Sequence, residues 1–259
     1  NANFHQPTKP IKSVYFFCDE FTNYQDSNIG IKAIQLLMAL GYEVKLVDHA
    51  ESGRAAISTG LLKMAKDKAT QNVKIFSELI CQKHQLIGLE PSALLTFRDE
   101  YPKIVEQELK SRASDLAENC LLIDEFLAQE ISLGNITDAS FHTEKRNIVL
   151  HGHCHQKALS SSDPTLWALS LPTNYHVEYL DTGCCGMAGS FGFEKEHFDI
   201  SQQVAEQSLF PNLRKTNEST IIAASGTSCR HQIKDGLNKK AYHPVEILYQ
   251  ACYSTNETL

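Results

Sequence analysis

The sequence predicts an α/β fold of two similar Rossmann-like lobes with parallel sheets, related by internal duplication. Three observations carry this expectation. Short apolar runs rich in β-formers alternate with longer helix-like stretches, the pattern of parallel strands joined by crossover helices. The apolar runs are nearly continuous, which suggests burial on both faces. The order of elements also starts again past the middle of the chain, near a loop-like segment, Gly134 to Lys145, rich in Asn, Thr, Asp and Ser.

Taken in order, Ser13-Cys18, Val44-Asp48 and Gln85-Leu89 read as strands, separated by Ile29-Leu40 and by a long segment from Leu61 to His84 with helical apolar spacing. A polar, amphipathic stretch follows from Tyr101 to Ser132. After the loop, Asn147-His151, His176-Asp181 and Thr220-Ser225 read as strands, with Phe198-Phe210 as a helix. The lobes are accordingly expected at residues 1–134 and 146–259. Val44 to Gly53 aligns on Val177 to Gly186 at a constant spacing of 133 residues, while Cys18 on Cys154 and Ser92-Ala93 on Ser228-Cys229 share a spacing of 136. Three strand ends thus match in the same order, as duplication requires.

Composition excludes several functions. With 24 Lys plus Arg against 31 Asp plus Glu, the net charge of −7 offers no basic footprint for nucleic acid. No window approaches 18 consecutive apolar residues, so no transmembrane segment is expected, and the polar stretch Asn1 to Ser13 lacks the apolar core of a signal peptide. Asn1-Ala2 reads as an expression scar. The chain reads as cytoplasmic, its 8 Cys being too sparse for a disulfide scaffold, and the adjacent Cys184-Cys185 suits metal or redox chemistry.

Cys154, Cys184, Cys185 and Cys229 all follow carboxyl ends of expected strands, where open parallel sheets place their ligands. Thiolates are the donors of iron-sulfur clusters and are accepted by tetrahedral zinc; magnesium or calcium would require oxygen. Gly183, Gly186, Gly189 and Gly192 around the pair give a backbone able to turn sharply and to aim amide groups at sulfur. His151, His153 and His155 bracket Cys154, so that His153 and His155 are candidates for a further ligand or a supporting hydrogen bond, as is His231 beside Cys229. Cys81, Cys120 and Cys252 fall in helix-like stretches and read as packing residues. Arg98-Asp99-Glu100 reads as a solvated charge run and Trp167 as core.

The segments HGHCHQKAL (His151-Leu159), DTGCCGMAGSFGFE (Asp181-Glu194), SCRHQI (Ser228-Ile233) and the following HP-x-E-I-L (His243-Leu248) resemble the duplicated cysteine-rich CCG domain. That domain occurs in the cysteine-rich subunit of heterodisulfide reductase, the iron-sulfur subunit of glycolate oxidase and the C-terminal part of FAD-linked oxidases of the D-lactate dehydrogenase type. EPSALLTFRDEYP (Glu90-Pro102) favours the last branch. The family pattern supplies a Cys, a Cys-Cys pair and a C-x-x-C per copy, and here Gly226 replaces the first Cys of the second copy's C-x-x-C. Four ligands remain, which suits a cubane 4Fe-4S cluster or zinc. In the first copy Glu51, Ser52 and Ala93 replace thiolates, so Cys18 stands alone and only one cluster is expected; Glu51, Glu90 and Arg54 are its polar candidates.

The resemblance implies an iron-sulfur electron-transfer module of an FAD-linked oxidoreductase oxidising a small 2-hydroxy acid such as lactate or glycolate. The FAD, for which no G-x-G-x-x-G fingerprint is present, would lie on a flavin-containing domain or subunit outside this chain. A ferredoxin-like domain is a further implied partner, because no ferredoxin cysteine run is present either. Through such partners the chain would sit peripherally at the inner face of the membrane. A zinc-stabilised interaction lobe without redox role is the alternative, and a thiol-disulfide enzyme using Cys184-Cys185 a third reading.

Overall fold

The computed structural model describes residues 6–142 and 144–252; Asn1-Ala2 lies outside them. Two compact units divide the chain, Asn1–Glu130 and Ile131–Leu259. The first contains β1 (Ser13–Phe17), β2 (Glu43–Lys45), β3 (Leu86–Gly88) and β4 (Cys120–Leu122), in the sheet order β2-β1-β3-β4. The second contains β5 (Arg146–His151), β6 (Tyr175–Leu180), β7 (Ile221–Ala224) and β8 (Ala241–Tyr242), in the order β6-β5-β7-β8. All six pairings are parallel. The fold is therefore α/β with two four-stranded parallel sheets of one topology.

Burial follows position in the sheet. The inner strands β3 and β7 are buried at every residue, as expected where helices cover both faces. The edge strand β6 instead alternates, with His176 and Glu178 exposed between half-buried neighbours. Helices complete the cores. In the first unit Phe17, Phe76, Phe97 and Tyr101 pack together with Val73, Leu116 and Cys120; in the second Val149, Leu180, Phe210, Leu213 and Ile233 pack with Cys185 and Cys229.

In both sheets the order reverses direction between the first and third strands of the unit. At such a switch point the connections leave toward opposite faces and open a crevice beyond the strand ends. Cys154 and Cys229, following β5 and β7, stand on either side of that point.

Several expectations need correction. The stretch from Tyr101 to Ser132 is broken helix around strand β4, so Cys120 lies in a strand, where it is fully buried. The helix expected from Leu61 to His84 ends at Phe76, and Cys81 is exposed in the turn that follows, paired with His84 in an isolated bridge. Trp167 is 48% exposed and is not core: the helix Asp163–Leu169 buries Thr165, Ala168 and Leu169 instead. Arg98 is not solvated, since it forms a two-pronged pair with Glu125 and also donates to the carbonyl of Cys120. Among the described residues no helix is long and apolar enough to cross a membrane.

Candidate metal centre

Cys154 opens the helix Cys154–Leu159 directly after β5 and the turn Gly152-His153. Cys184 and Cys185 lie in the loop that leaves β6, and Cys229 sits in the first turn of Thr227–Leu237, which starts immediately after β7. Exposure grades across the four: Cys154 is exposed, Cys184 intermediate, and Cys185 and Cys229 are buried.

The four side chains interact in succession. Cys154 bonds to Cys184, Cys184 to Cys185, and Cys185 to Cys229. Their ionisation alternates accordingly. Cys184 is pulled well below the usual thiol range because it accepts from Cys154 and Cys185, and the backbone N–H groups of Gly186 and Ala188 also point at it. Cys229 is lowered by its bond from Cys185, with help from the His151 and His153 rings. Cys154 is raised chiefly by its bond to Cys184, and Cys185 chiefly by its bonds to Cys184 and Cys229. Close thiols cannot all ionise together, so protons are shared between neighbours. Among the described residues no group of three or more His, Cys, Asp or Glu side chains is set around a common point as metal ligands are.

Backbone geometry explains why the loop can aim so many donors at sulfur. Gly186 has φ +97° and Ala188 φ +42°, so the chain between Cys184 and Gly189 turns its amides inward. The N–H of Gly186 lies 3.3 Å from Cys184 Sγ, Met187 N–H serves Cys185, and His155 N–H serves Cys154. Glycine is required at 186 on two counts. Besides the left-handed φ, a Cβ there would stand 2.1 Å from the carbonyl oxygen of the fully buried Ser201. At Gly183, by contrast, a Cβ would meet nothing within 4 Å, so there is open space beside the Cys-Cys pair.

The histidines divide. His151, at the end of β5, is 1% exposed and its Nδ1 lies 2.7 Å from the Thr182 hydroxyl, while the ring interacts with the Cys229 sulfur. The Thr182 hydroxyl also donates to the Leu180 carbonyl at 3.4 Å, so it ties the His151 ring to the end of β6. Lys157 holds this strand end from the other side by donating to the Thr182 carbonyl at 2.6 Å. His153 is buried, at 5% exposure, and also acts on Cys229. His155 is half-buried and reaches Cys154 through its backbone. The His231 ring lies edge-on to Phe193 at 5.8 Å, and His231 does not figure among the groups acting on the four thiols. Sequence reasoning missed His151 and Thr182 as sulfur partners and Ala188 as a positive-φ residue. For His151 the signal was its place at a strand end; for Ala188 there was none.

A donor set of four sulfurs backed by N–H groups fits a soft metal centre, an iron-sulfur cluster or zinc, and does not fit a hard cation. Among the described residues the first unit offers nothing similar. Cys18 Sγ lies 4.0 Å from Asn23 Oδ1, and burial with the neighbouring Asp19 pushes its thiol up to about 11. Glu51 pairs with Lys68, Arg54 with Glu100, and Glu90 accepts from the Ser92 N–H and hydroxyl.

Comparison with known proteins falls on the same segment of the second unit. The CCG family model, described as a cysteine-rich domain, matches residues 148–234, a span that includes all four cysteines. Over 244 residues, the chain is 26% identical to D-2-hydroxyglutarate dehydrogenase of Pantoea ananatis, with 94% of this chain and 23% of that protein covered. Over 240 residues it is 27% identical to a subunit of the anaerobic glycerol-3-phosphate dehydrogenase of Escherichia coli K12, covering 92% and 59%. Over 243 residues it is 23% identical to a subunit of the CoM/CoB fumarate reductase of Methanothermobacter marburgensis, covering 92% and 45%. The chain thus spans between 23% and 59% of the length of these relatives. Residues 148–234 thus match the CCG cysteine-rich domain, and the chain as a whole is similar to dehydrogenase and reductase polypeptides.

Proposed function

We propose that the second unit holds one iron-sulfur cluster through Cys154, Cys184, Cys185 and Cys229, and that the chain is an electron-transfer module of an FAD-linked oxidoreductase acting on a small 2-hydroxy acid. The observation that carries this reading is the continuous contact of the four side chains, each of the first three also supplied with a backbone N–H, inside a segment matched by the CCG family. The named relatives support the reaction class: one is a 2-hydroxy acid dehydrogenase, and another acts on glycerol 3-phosphate, also a secondary alcohol.

Oxidising a 2-hydroxy acid to the 2-oxo acid releases two electrons and two protons. A flavin accepts them as a pair, and carriers beyond it must accept electrons singly. A bound cluster would supply that single-electron step. The flavin-bearing domain or subunit and a ferredoxin-like domain are the partners this division of labour requires.

The chain's own residues have distinct tasks here. Gly186, Met187, Ala188 and His155 direct N–H groups at thiolates and so offset their negative charge. His151, its ring held by Thr182, gives Cys229 a side-chain partner away from water. Cys185 and Cys229 exclude solvent, while the exposure of Cys154 leaves a short route outward.

Anaerobic reconstitution of the chain with iron and sulfide tests the reading. Iron and acid-labile sulfide should appear together at one cluster per chain, with visible absorption that bleaches on reduction. Stoichiometric zinc without sulfide would overturn it in favour of a zinc-stabilised interaction lobe, because zinc has no accessible redox change.

A further inference from the structure

Thr182 is the last fixed point before the Cys184-Cys185 pair. It is 3% exposed, and each of its polar atoms is engaged. Its N–H donates to the Leu180 carbonyl at 2.8 Å, its hydroxyl lies 2.7 Å from His151 Nδ1, and its carbonyl accepts from Lys157 Nζ at 2.6 Å. Gly183 follows, where a Cβ would meet nothing within 4 Å, so no side chain steadies the step into the pair. The placement of Cys184 and Cys185 is therefore set from the Thr182 end.

Lys157 reaches Thr182 from the helix that Cys154 opens. Residues three apart on a helix share a face, so Cys154 and Lys157 lie on one side of it. The bond joins two separate elements that each carry part of the sulfur set, the helix after β5 and the loop after β6. A charged donor makes a hydrogen bond about twice as strong as a neutral one, and Lys157 is half-buried, which shields the bond from water.

The first unit forms its sheet without this tie. At the repeat spacing of 136 residues Lys157 falls on Phe21, which has no side-chain donor, and at the spacing of 133 Thr182 falls on His49. The His49 Nδ1 turns to the carbonyl of Ala50 at 2.8 Å. The shared topology does not require the Lys157 bond, which belongs to the unit whose strand ends carry four cysteines.

We infer that Lys157 is a positioning residue: through the Thr182 carbonyl it holds the Cys184-Cys185 pair within reach of Cys154 and so assembles the sulfur set. The inference rests on the reading of the four cysteines as one donor set, and it adds no ligand to that set.

The test starts from the reduced, metal-free chain. Phenylarsine oxide bridges two thiols only when their sulfurs are close. In a Cys185→Ala background, which leaves Cys184 no adjacent thiol, mass mapping should place the arsenic between Cys154 and Cys184. Adding Lys157→Met should weaken that bridging at least fivefold, while Lys157→Arg, which keeps a cationic donor, should stay within twofold. The second measurement uses the full cysteine set, loaded anaerobically with iron and sulfide. Iron per chain should fall in the same order, and the midpoint potential of Lys157→Met should drop, because a positive charge that favours the reduced centre is gone. Undiminished bridging in Lys157→Met, or equal losses in Lys157→Met and Lys157→Arg, would overturn the inference. Full iron loading at an unchanged potential in Lys157→Met would overturn it while leaving the cluster reading intact. Bridging lost as expected, with zinc alone taken up by the parent, would support the inference and overturn the iron-sulfur reading.

Discussion

After β7 the chain places Cys229 against Cys185, whereas after β3 the corresponding residue, Ala93, is buried and carries no donor. Where Cys185 bonds to two other sulfurs, Ser52 is held by one carboxylate: its N–H and hydroxyl donate to the two oxygens of Glu20 at 2.8 and 2.6 Å. Tyr101 adds a bond to the Ser52 carbonyl. Both units therefore satisfy the same strand-end loop, one with oxygen and nitrogen from its own side chains and the other with sulfur. The sheet order does not depend on cysteine. Cys185 and Cys229 contribute bulk to the second core, but the shared topology does not require their thiol chemistry, which is a reason to look to a ligand for it.

The largest expected effect tests that division directly. Ser in place of Cys185 or Cys229 should reduce bound iron and sulfide by about tenfold or more, since a neutral hydroxyl is a poor ligand for iron. Cys18→Ser and Cys120→Ser should leave both unchanged. Metal analysis on anaerobic protein decides, and two clusters per chain in the parent would show that the first unit holds donors beyond Cys18.

A second comparison uses the paired glycines. Gly53 and Gly186 occupy matching places and both have positive φ, of +78° and +97°. Around Gly53 the nearest atom to a Cβ is 3.5 Å away, whereas at Gly186 it is the Ser201 carbonyl at 2.1 Å. Gly53→Ala should cost only the left-handed strain, about 1–2 kcal/mol. Gly186→Ala adds a backbone collision and should cost more than about 4 kcal/mol. Urea unfolding followed by separate probes in the two units would measure this, and equal losses would mean that the 184–189 loop yields.

A third difference concerns pH. Asp19 follows β1 as His155 follows β5, but it is 1% exposed and is pushed up to about 7 by burial, with Glu90 and Glu20 adding repulsion against the bonds from Thr22. The native state therefore holds this proton more tightly than the unfolded chain does. The stability it contributes is complete below about pH 4 and is lost as pH rises toward 7, by up to about 4 kcal/mol. Asp19→Asn, which keeps an oxygen to accept from Phe21 and Thr22, should flatten that slope. Unfolding of the first unit at pH 5 and pH 8 checks it; an equal slope in both proteins would place the shift elsewhere.

How much of this was legible in the sequence depends on the range of the interaction. The strand ends bearing Cys154, Cys184, Cys185 and Cys229 could be read because apolar runs and glycine turns are local signals. β4 and β8 could not: three and two residues are too few for a period, and β4 sits inside a stretch whose flanks are helical. Trp167 misled because residue type says nothing of which helix face is covered. Thr182 against His151, Glu20 against Ser52 and His153 against Gly226 are pairings 31, 32 and 73 positions apart, and they exist only once neighbouring strands align.

The smallest expected effect isolates what the first unit uses in place of sulfur. Ser52→Ala removes the hydroxyl from Glu20 Oε1 but leaves the backbone N–H on Oε2, so the carboxylate keeps one donor and is only half-buried. The loss should be about 1–2 kcal/mol, that of one hydrogen bond to a charged group. Glu20→Ala strands both the N–H and the hydroxyl of the fully buried Ser52 and should cost about 2–4 kcal/mol. Neither change touches the second unit's donors, so iron per chain should match the parent. A fall in iron in Ser52→Ala would mean that the two strand-end loops, alike in place, are also coupled in function.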